Sequence, residues 1–395
     1  MLKYLVEHGA NINKKEILTE TLLHYACKRK NGNENIVKYL VEHGADINKQ
    51  NEYGKIPLHY ACEYEHENIV KYLVDFGSDI NKQDRYKETP LQYACRSGNE
   101  NIIKYLVEHG ANTNKQGRNK ETPLHYVCKG KNGNENIVKY LVEHGADINK
   151  LNYYGKIPLH YACEYEHENI VKYFVEHGAD INKKDWNGET PIHYACESGN
   201  ENIVKYLVKY GADINKQNKY GKTSLHYACR NGNENIVKYL VEHGADINKQ
   251  NKYGKIPLHY ACRNGNENIV KYLVDHGAYI NKQNEYGETS LHYACRNGNE
   301  NIVKYLVEHG ADINKQNSFH ETPLHIACMS GSENIVEYLI EKGVEVDKMI
   351  VIRKGKYWND NINKILIKHG AAEPTISYRI KMIFKNFLST SLLYY

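Results

Sequence analysis

The chain has 395 residues, 41% of them apolar and 25% charged, with 52 Lys and Arg against 48 Asp and Glu for a formal net charge of +4. So small a basic excess over this length does not mark a nucleic-acid binder, and the apolar content is enough to build a core. The sequence shows no signal-peptide pattern, no apolar stretch long enough to span a bilayer and no N-glycosylation acceptor.

The chain opens on MLKYLVEHGA, which has the pattern of a second helix with no first helix before it. Leu2, Tyr4, Leu5 and Val6 copy an internal helix, so this edge is expected either to be covered or to begin inside a longer array. The same pattern then returns at a fixed interval. A histidine or its replacement falls at His24, His59, Gln92, His125, His160, His193, His226, His259, His292 and His325, with seven spacings of 33 residues and two of 35. A period of this size predicts an array of supersecondary units, each packing on its neighbours. The expected organisation is a partial unit at 1–15, ten units over 16–349, a degenerate unit at 350–374 and an amphipathic segment at 375–395.

One unit, Asp84–Gln116, shows how each is built. Thr89 is an N-cap candidate and Pro90 fits the first helical position, where a missing N–H does no harm. A short helix follows through Leu91, Ala94 and Cys95 and stops at Gly98, which adopts a left-handed conformation cheaply. Asn99 caps a second helix carrying Ile102, Ile103, Tyr105, Leu106 and Val107, and Gly110 ends that one. Two short helices and a loop cannot bury this apolar face alone, so stacking must supply the core.

Several units depart from the pattern. In the first complete unit Thr19 stands for the usual glycine and Leu22 for proline. CKRKNG and CKGKNG insert two residues between the helices of the first and fourth units, and each insertion is followed by KIPLHYACEYEHEN in the next. Glu65 and Glu166 there replace the helix-ending glycine, at an expected cost of roughly 1–2 kcal/mol. Ile56, Ile157 and Ile256 replace the threonine cap, for about 1 kcal/mol each. The EYEHEN segments are therefore expected to open most readily. After Met349 the first-helix motif is lost, although NINKILIKHGA restores a second helix. Beyond Pro374 the residues Ile376, Ile380, Ile383, Phe384 and Phe387 share a helical face near Arg379, Lys381 and Lys385. A capping helix is the leading reading there, ahead of a membrane or partner contact, which is the weaker reading, and of a frayed tail.

The motif G-x-T-P-L-H-x-A-C-x-x-G-x-x-x-I-V-x-x-L-V-x-x-G-A-D-I-N resembles the ankyrin repeat. Gly188, Thr190, Pro191, His193, Ala195, Gly199, Leu207, Gly211, Ala212, Asp213 and Asn215 give one near-complete copy, and residues 16–349 match it repeatedly. The resemblance implies an all-α repeat solenoid of antiparallel helix pairs with projecting β-hairpin loops. It also implies binding through the hairpin tips and the exposed side of the first helices, with Thr-Pro-Leu-His ordering the helix start.

The ten cysteines come one per unit, from Cys27 to Cys328, with no Cys-x-x-Cys pair, so they read as small buried fillers. Reduced thiols fit a cytosolic or nuclear compartment. The histidines are likewise spread one per unit, whereas catalysis or metal binding needs different groups converging at one place. No catalytic residue, metal or cofactor is expected.

Two ladders remain on the loops. Tyr53, Tyr86, Tyr154, Tyr220, Tyr253, Tyr286 and Phe319 share one position, with Trp186 displaced by one, and a lysine series runs from Lys82 to Lys315. Arg230, Arg263 and Arg296 repeat on consecutive first helices. The expected protein-binding surface is thus Tyr220, Arg230, Tyr253, Arg263, Tyr286 and Arg296, because aromatics and arginines make strong contacts when a partner buries them. The function this predicts is a non-enzymatic protein-interaction scaffold with one or more protein partners. Arginine and tyrosine ladders also suit single-stranded nucleic acid, but the acids between them weaken that alternative, and an enzyme is weaker still.

Overall fold

The computed structural model describes residues 8, 11–14, 20–29, 32–130, 133–346 and 360–371. The chain divides into two compact units, Met1–Asp213 and Ile214–Tyr395, and each is a helical repeat solenoid in its own right. In the first, short helices pair as Leu22–Lys28 with Glu34–Glu42, Pro57–Glu63 with Glu67–Asp75, and Pro90–Ser97 with Glu100–Glu108. Pro123–Lys129 with Glu135–Glu143, Pro158–Glu164 with Glu168–Glu176, and Pro191–Ser198 with Glu201–Lys209 continue the series. In the second unit the pairs are Ser224–Asn231 with Glu234–Glu242, Pro257–Asn264 with Glu267–Asp275, Ser290–Asn297 with Glu300–Glu308, and Pro323–Ser330 with Glu333–Glu341. A further helix, Asp360–Lys368, packs on Glu333–Glu341. Most of segment 1–15, and all of 375–395, lie outside the described residues.

Helices of this length are marginal alone, and packing makes them stable. Leu91, Ala94, Ile102, Ile103 and Leu106 are all at most 1% exposed, and the same positions are buried in every pair except for half-buried Ile36 in the first. Each such leucine or isoleucine contributes roughly 1.5–3 kcal/mol relative to exposure. The helix stops are those the sequence predicts: Gly98 turns left-handed at φ 87°, and Asn99 caps the second helix by accepting from the Ile102 N–H.

The buried histidine is the link between pairs. His125 Nδ1 accepts the Thr122 N–H at 3.1 Å, and the Thr122 hydroxyl lies 2.8 Å from the same nitrogen. Since Nδ1 accepts a backbone N–H, the proton is on Nε2, which donates 3.1 Å to the Lys156 carbonyl of the following repeat. Gln92 reproduces the arrangement without a ring: its Oε1 accepts the Thr89 N–H and its Nε2 donates to Lys115 and Glu121 carbonyls, both at 2.9 Å.

This geometry corrects the expected cost of isoleucine at the cap. The threonine hydroxyl bonds the histidine and does not reach the helix N–H groups, so its loss leaves the main connection standing. His59 still accepts the Ile56 N–H at 3.1 Å, and Ile56 is fully buried, adding apolar area where threonine would add little.

The EYEHEN repeats are also better supported than sequence reasoning allows. Glu65 and Glu166 are indeed left-handed, at φ 61° and 62°. However, His66 stands where Asn99 stands in the reference repeat, and its Nε2 reaches back 2.8 Å to the Arg29 carbonyl beside the insertion. His167 does the same to Gly130 at 2.9 Å. A Cβ on Gly32 or Gly133 would fall 2.5 to 2.8 Å from these rings. In both places the next repeat's histidine thus fills the space between the residues that flank the insertion, Arg29 and Gly32 or Gly130 and Gly133, which accounts for the two departures travelling together. The first helices beside the insertions are not lengthened: Arg29 and Gly130 leave them in extended conformation.

The loops are turns and no strand is present among the described residues, so the projecting β-hairpin detail is not shown. The loops close on short turn bonds, as from Asn51 N–H to the Lys55 carbonyl and from Gly54 N–H to the Asn51 carbonyl, both at 3.0 Å, and Arg85 N–H bonds the Tyr53 carbonyl of the loop before at 2.8 Å. Turn bonds within a loop and a single bond to its neighbour do not make a ladder. Left-handed residues recur here too, at Lys87, Asn119, Lys120 and His320.

Candidate functional site

The loops hold the aromatic residues by their backbones. In Ile214–Tyr395, the N–H groups of Tyr220, Tyr253 and Tyr286 donate to the side-chain oxygens of Asn218, Asn251 and Asn284 at 2.8 to 2.9 Å. Their carbonyls accept from Lys252, Glu285 and Ser318 of the following loops at 2.8 to 3.0 Å. Both backbone groups are satisfied, so the rings project from a fixed base. They are 48%, 42% and 49% exposed.

Arg230, Arg263 and Arg296 leave the last turns of their first helices and are exposed. Asn264 and Asn297 donate to the Arg230 and Arg263 carbonyls at 3.0 and 3.1 Å, tying successive helices at this point. The guanidiniums of Arg230 and Arg296 lie 5.0 and 5.6 Å from the ring centres of Tyr227 and Tyr293, within cation–π range.

All six expected residues are therefore surface groups on ordered elements, but they do not share one cavity. Arg263, Tyr286 and Arg296 line a groove of about 420 Å³ with Lys255, Glu288, Tyr293 and Asn297. Tyr220, Arg230 and Tyr253 lie outside its lining. Arg296 is bonded to Glu288 at 2.6 Å. Burial opposes ionisation of Glu288, but the Arg296 guanidinium more than offsets it and holds the carboxyl below its usual range.

Met1–Asp213 carries a wider groove of about 640 Å³ at the corresponding positions. Exposed Tyr53 and Tyr86 form part of its wall, with Arg118 5.3 Å from the Tyr86 ring centre. Its deeper tyrosines are tied down: Tyr60 donates to Glu20 at 2.6 Å and Tyr93 to Asp84 at 2.7 Å. Sequence reasoning missed Tyr153, which packs 4.7 Å from Trp186 and 5.6 Å from Tyr154, all about half exposed. The available signal was the break in copying, with Leu151 at a place that other repeats give to polar residues and Tyr153 at one that they do too, apart from Trp186 in the next repeat.

The histidines and cysteines are structural. Burial pushes His59, His125 and His259 down to about 4 and His160 to about 3, which keeps each ring neutral. The ten cysteines are buried, and burial raises the thiols at Cys27, Cys95 and Cys262, away from the thiolate that reacts. The histidines that precede glycine close their helices. His43 Nδ1 donates to the Tyr39 carbonyl at 2.8 Å, with the two rings stacked at 4.0 Å.

A family model described as ankyrin repeats, three copies, matches residues 1–84, 46–117, 76–152, 112–185, 183–251, 210–284, 246–317, 280–350 and 312–376. The chain belongs to the ankyrin-repeat family. No curated protein matches it. Ankyrin repeats are generally protein-interaction modules and typically not enzymes. In this ankyrin-repeat protein no helix among the described residues is long and apolar enough to cross a membrane.

Proposed function

We propose that this ankyrin-repeat chain is a non-enzymatic scaffold that binds one or more proteins along the face made by its first helices and loops. The observation that carries the reading is the pairing of rigidly based, half-exposed loop tyrosines with helix-end cations around preformed grooves. Anchors already held in place lose little conformational freedom on binding, and neighbouring repeats add contacts in series. The surface assigned is Tyr220, Arg230, Tyr253, Arg263, Tyr286 and Arg296, with the groove beside Arg263 as its best-formed part.

The test is quantitative proteome capture with the intact protein, with a variant carrying all six residues as Ser, and with a variant ending at Pro374. Partners lost on the six substitutions and kept on truncation support the assignment. Partners that survive the substitutions but vanish on truncation transfer the site to the C-terminal segment. Strong salt-dependent binding of random single-stranded DNA would instead favour a nucleic-acid surface.

A further inference from the structure

Most repeats place two charged side chains eight residues apart on this face. The first precedes the helix start and the second ends the first helix. In five repeats of Met1–Asp213 the two carry opposite charge: Glu20 with Lys28 at 3.3 Å, Lys55 with Glu63 at 2.8 Å, Glu88 with Arg96 at 2.7 Å, Glu121 with Lys129 at 2.5 Å and Lys156 with Glu164 at 2.8 Å. In the sixth both are acidic, Glu189 and Glu197. Glu288 and Arg296 again pair opposite charges in Ile214–Tyr395, at 2.6 Å. Two consecutive repeats hold two basic residues instead, Lys222 with Arg230 in Asn218–Gln250 and Lys255 with Arg263 in Asn251–Gln283, and the second pair lines the groove.

Lys255 and Arg263 face the groove together with Arg296, and Glu288, already engaged by Arg296, is the one carboxylate in its lining. The wall opposite is aromatic. Lys255 Nζ lies 5.1 Å from the Tyr293 ring centre, and Tyr286 stands half exposed at the mouth. Burial, with repulsion from Arg263, Arg296 and Lys222 against the pull of Glu288, holds the Lys255 ammonium below its ordinary value. The groove thus holds a second cation where Glu20, Glu88, Glu121 and Glu288 face a cation in their own repeats.

We propose that the Lys255–Arg263–Tyr286 groove receives a carboxylate side chain from an extended acidic segment of a protein partner, which takes the place that Glu88 holds beside Arg96. The segment's backbone and apolar atoms lie along Tyr286 and Tyr293, and Arg263 offers the planar fork that suits a carboxylate. Charge complementarity selects this occupant. The excess positive charge spans two repeats, Lys222 and Arg230 then Lys255 and Arg263, and ends at Glu285 and Glu288, so it is shorter than the continuous track that a nucleic-acid backbone needs. The inference rests on the scaffold reading and adds the chemistry of one contact.

The experiment is selection of random displayed peptides on the full chain, followed by fluorescence anisotropy with the best labelled peptide. Lys255→Glu is the main variant, because it restores the Glu88–Arg96 arrangement and copies a pairing this fold already carries. Lys271→Glu, on a second helix, matches the charge change. Tyr286→Ala tests the wall. The expected result is a selected set rich in Asp and Glu, whose binding falls at least about tenfold in Lys255→Glu and when the peptide acids become amides, and holds in Lys271→Glu. Peptides without acidic enrichment, or equal binding by Lys255→Glu, overturn the inference. If Tyr286→Ala still abolishes that binding, the scaffold reading stands without it. If neither variant matters, the face itself is misassigned. Failure to select any peptide, with Lys255-dependent binding of single-stranded DNA or a phosphopeptide, overturns the inference in favour of a phosphate site.

Discussion

Mild acid should loosen this protein through its buried histidines, and a glutamine should cancel the effect at a chosen repeat. His59 is fully buried, accepts the Ile56 N–H on Nδ1 and donates from Nε2 to the Glu88 carbonyl at 3.2 Å. Protonation would put a charge into a dry site and turn the Nδ1 acceptor into a donor facing an N–H. Burial accordingly pushes the group from 6.5 down to about 4. Between those values the unfolded chain holds a proton that the folded chain does not, so stability is full above pH 6.5 and is lost as pH falls towards 4. At about 1.4 kcal/mol per pH unit, the loss approaches roughly 3 kcal/mol below the folded value and is about 2 kcal/mol near pH 5.

His59→Gln keeps both hydrogen bonds, as Gln92 does in the next repeat, and removes the titration. Segment-resolved hydrogen exchange is the suitable assay, because an array need not unfold as one unit. Near pH 7.5 the variant should match the parent. Near pH 5 it should protect residues 57–63 by about 2 kcal/mol more, after correction for intrinsic exchange. Equal acid loss in parent and variant would refute the neutral-histidine account, and a large loss in the variant at neutral pH would refute the glutamine equivalence.

Gly133→Ala should cost about 1–3 kcal/mol, because its Cβ would sit 2.5 to 2.7 Å from the His167 ring. Adding His167→Asn should recover most of that in thermal melts, since asparagine is the residue other repeats use there. Glu65→Gly should stabilise its segment by about 1 kcal/mol in hydrogen exchange, through relief of the φ 61° conformation.

The sequence made the helix pairs legible because each boundary has a local chemical cause. Thr89, Pro90, Gly98 and Asn99 act within one turn of where they stand, and the buried face follows from helical period alone. What the sequence obscured involves residues in different repeats. Nothing local to His66 shows that its ring sits on Gly32, and nothing local to Ile56 shows that the threonine it replaces bonds a histidine ring and not the helix end. The site was obscured in a similar way. Comparing Arg230, Arg263 and Arg296 at one position makes them look alike. Their difference lies eight residues earlier, where Lys222 and Lys255 precede Arg230 and Arg263 but Glu288 precedes Arg296.

The most direct measurement of the central claim is amide exchange of the full chain with and without a captured partner. The scaffold account predicts added protection in the loops at 218–223, 251–256 and 284–289 and in the last turns of the adjoining first helices, and no change in Glu234–Glu242, Glu267–Asp275 and Glu300–Glu308. Protection concentrated on those second helices, with the loops unchanged, would contradict it.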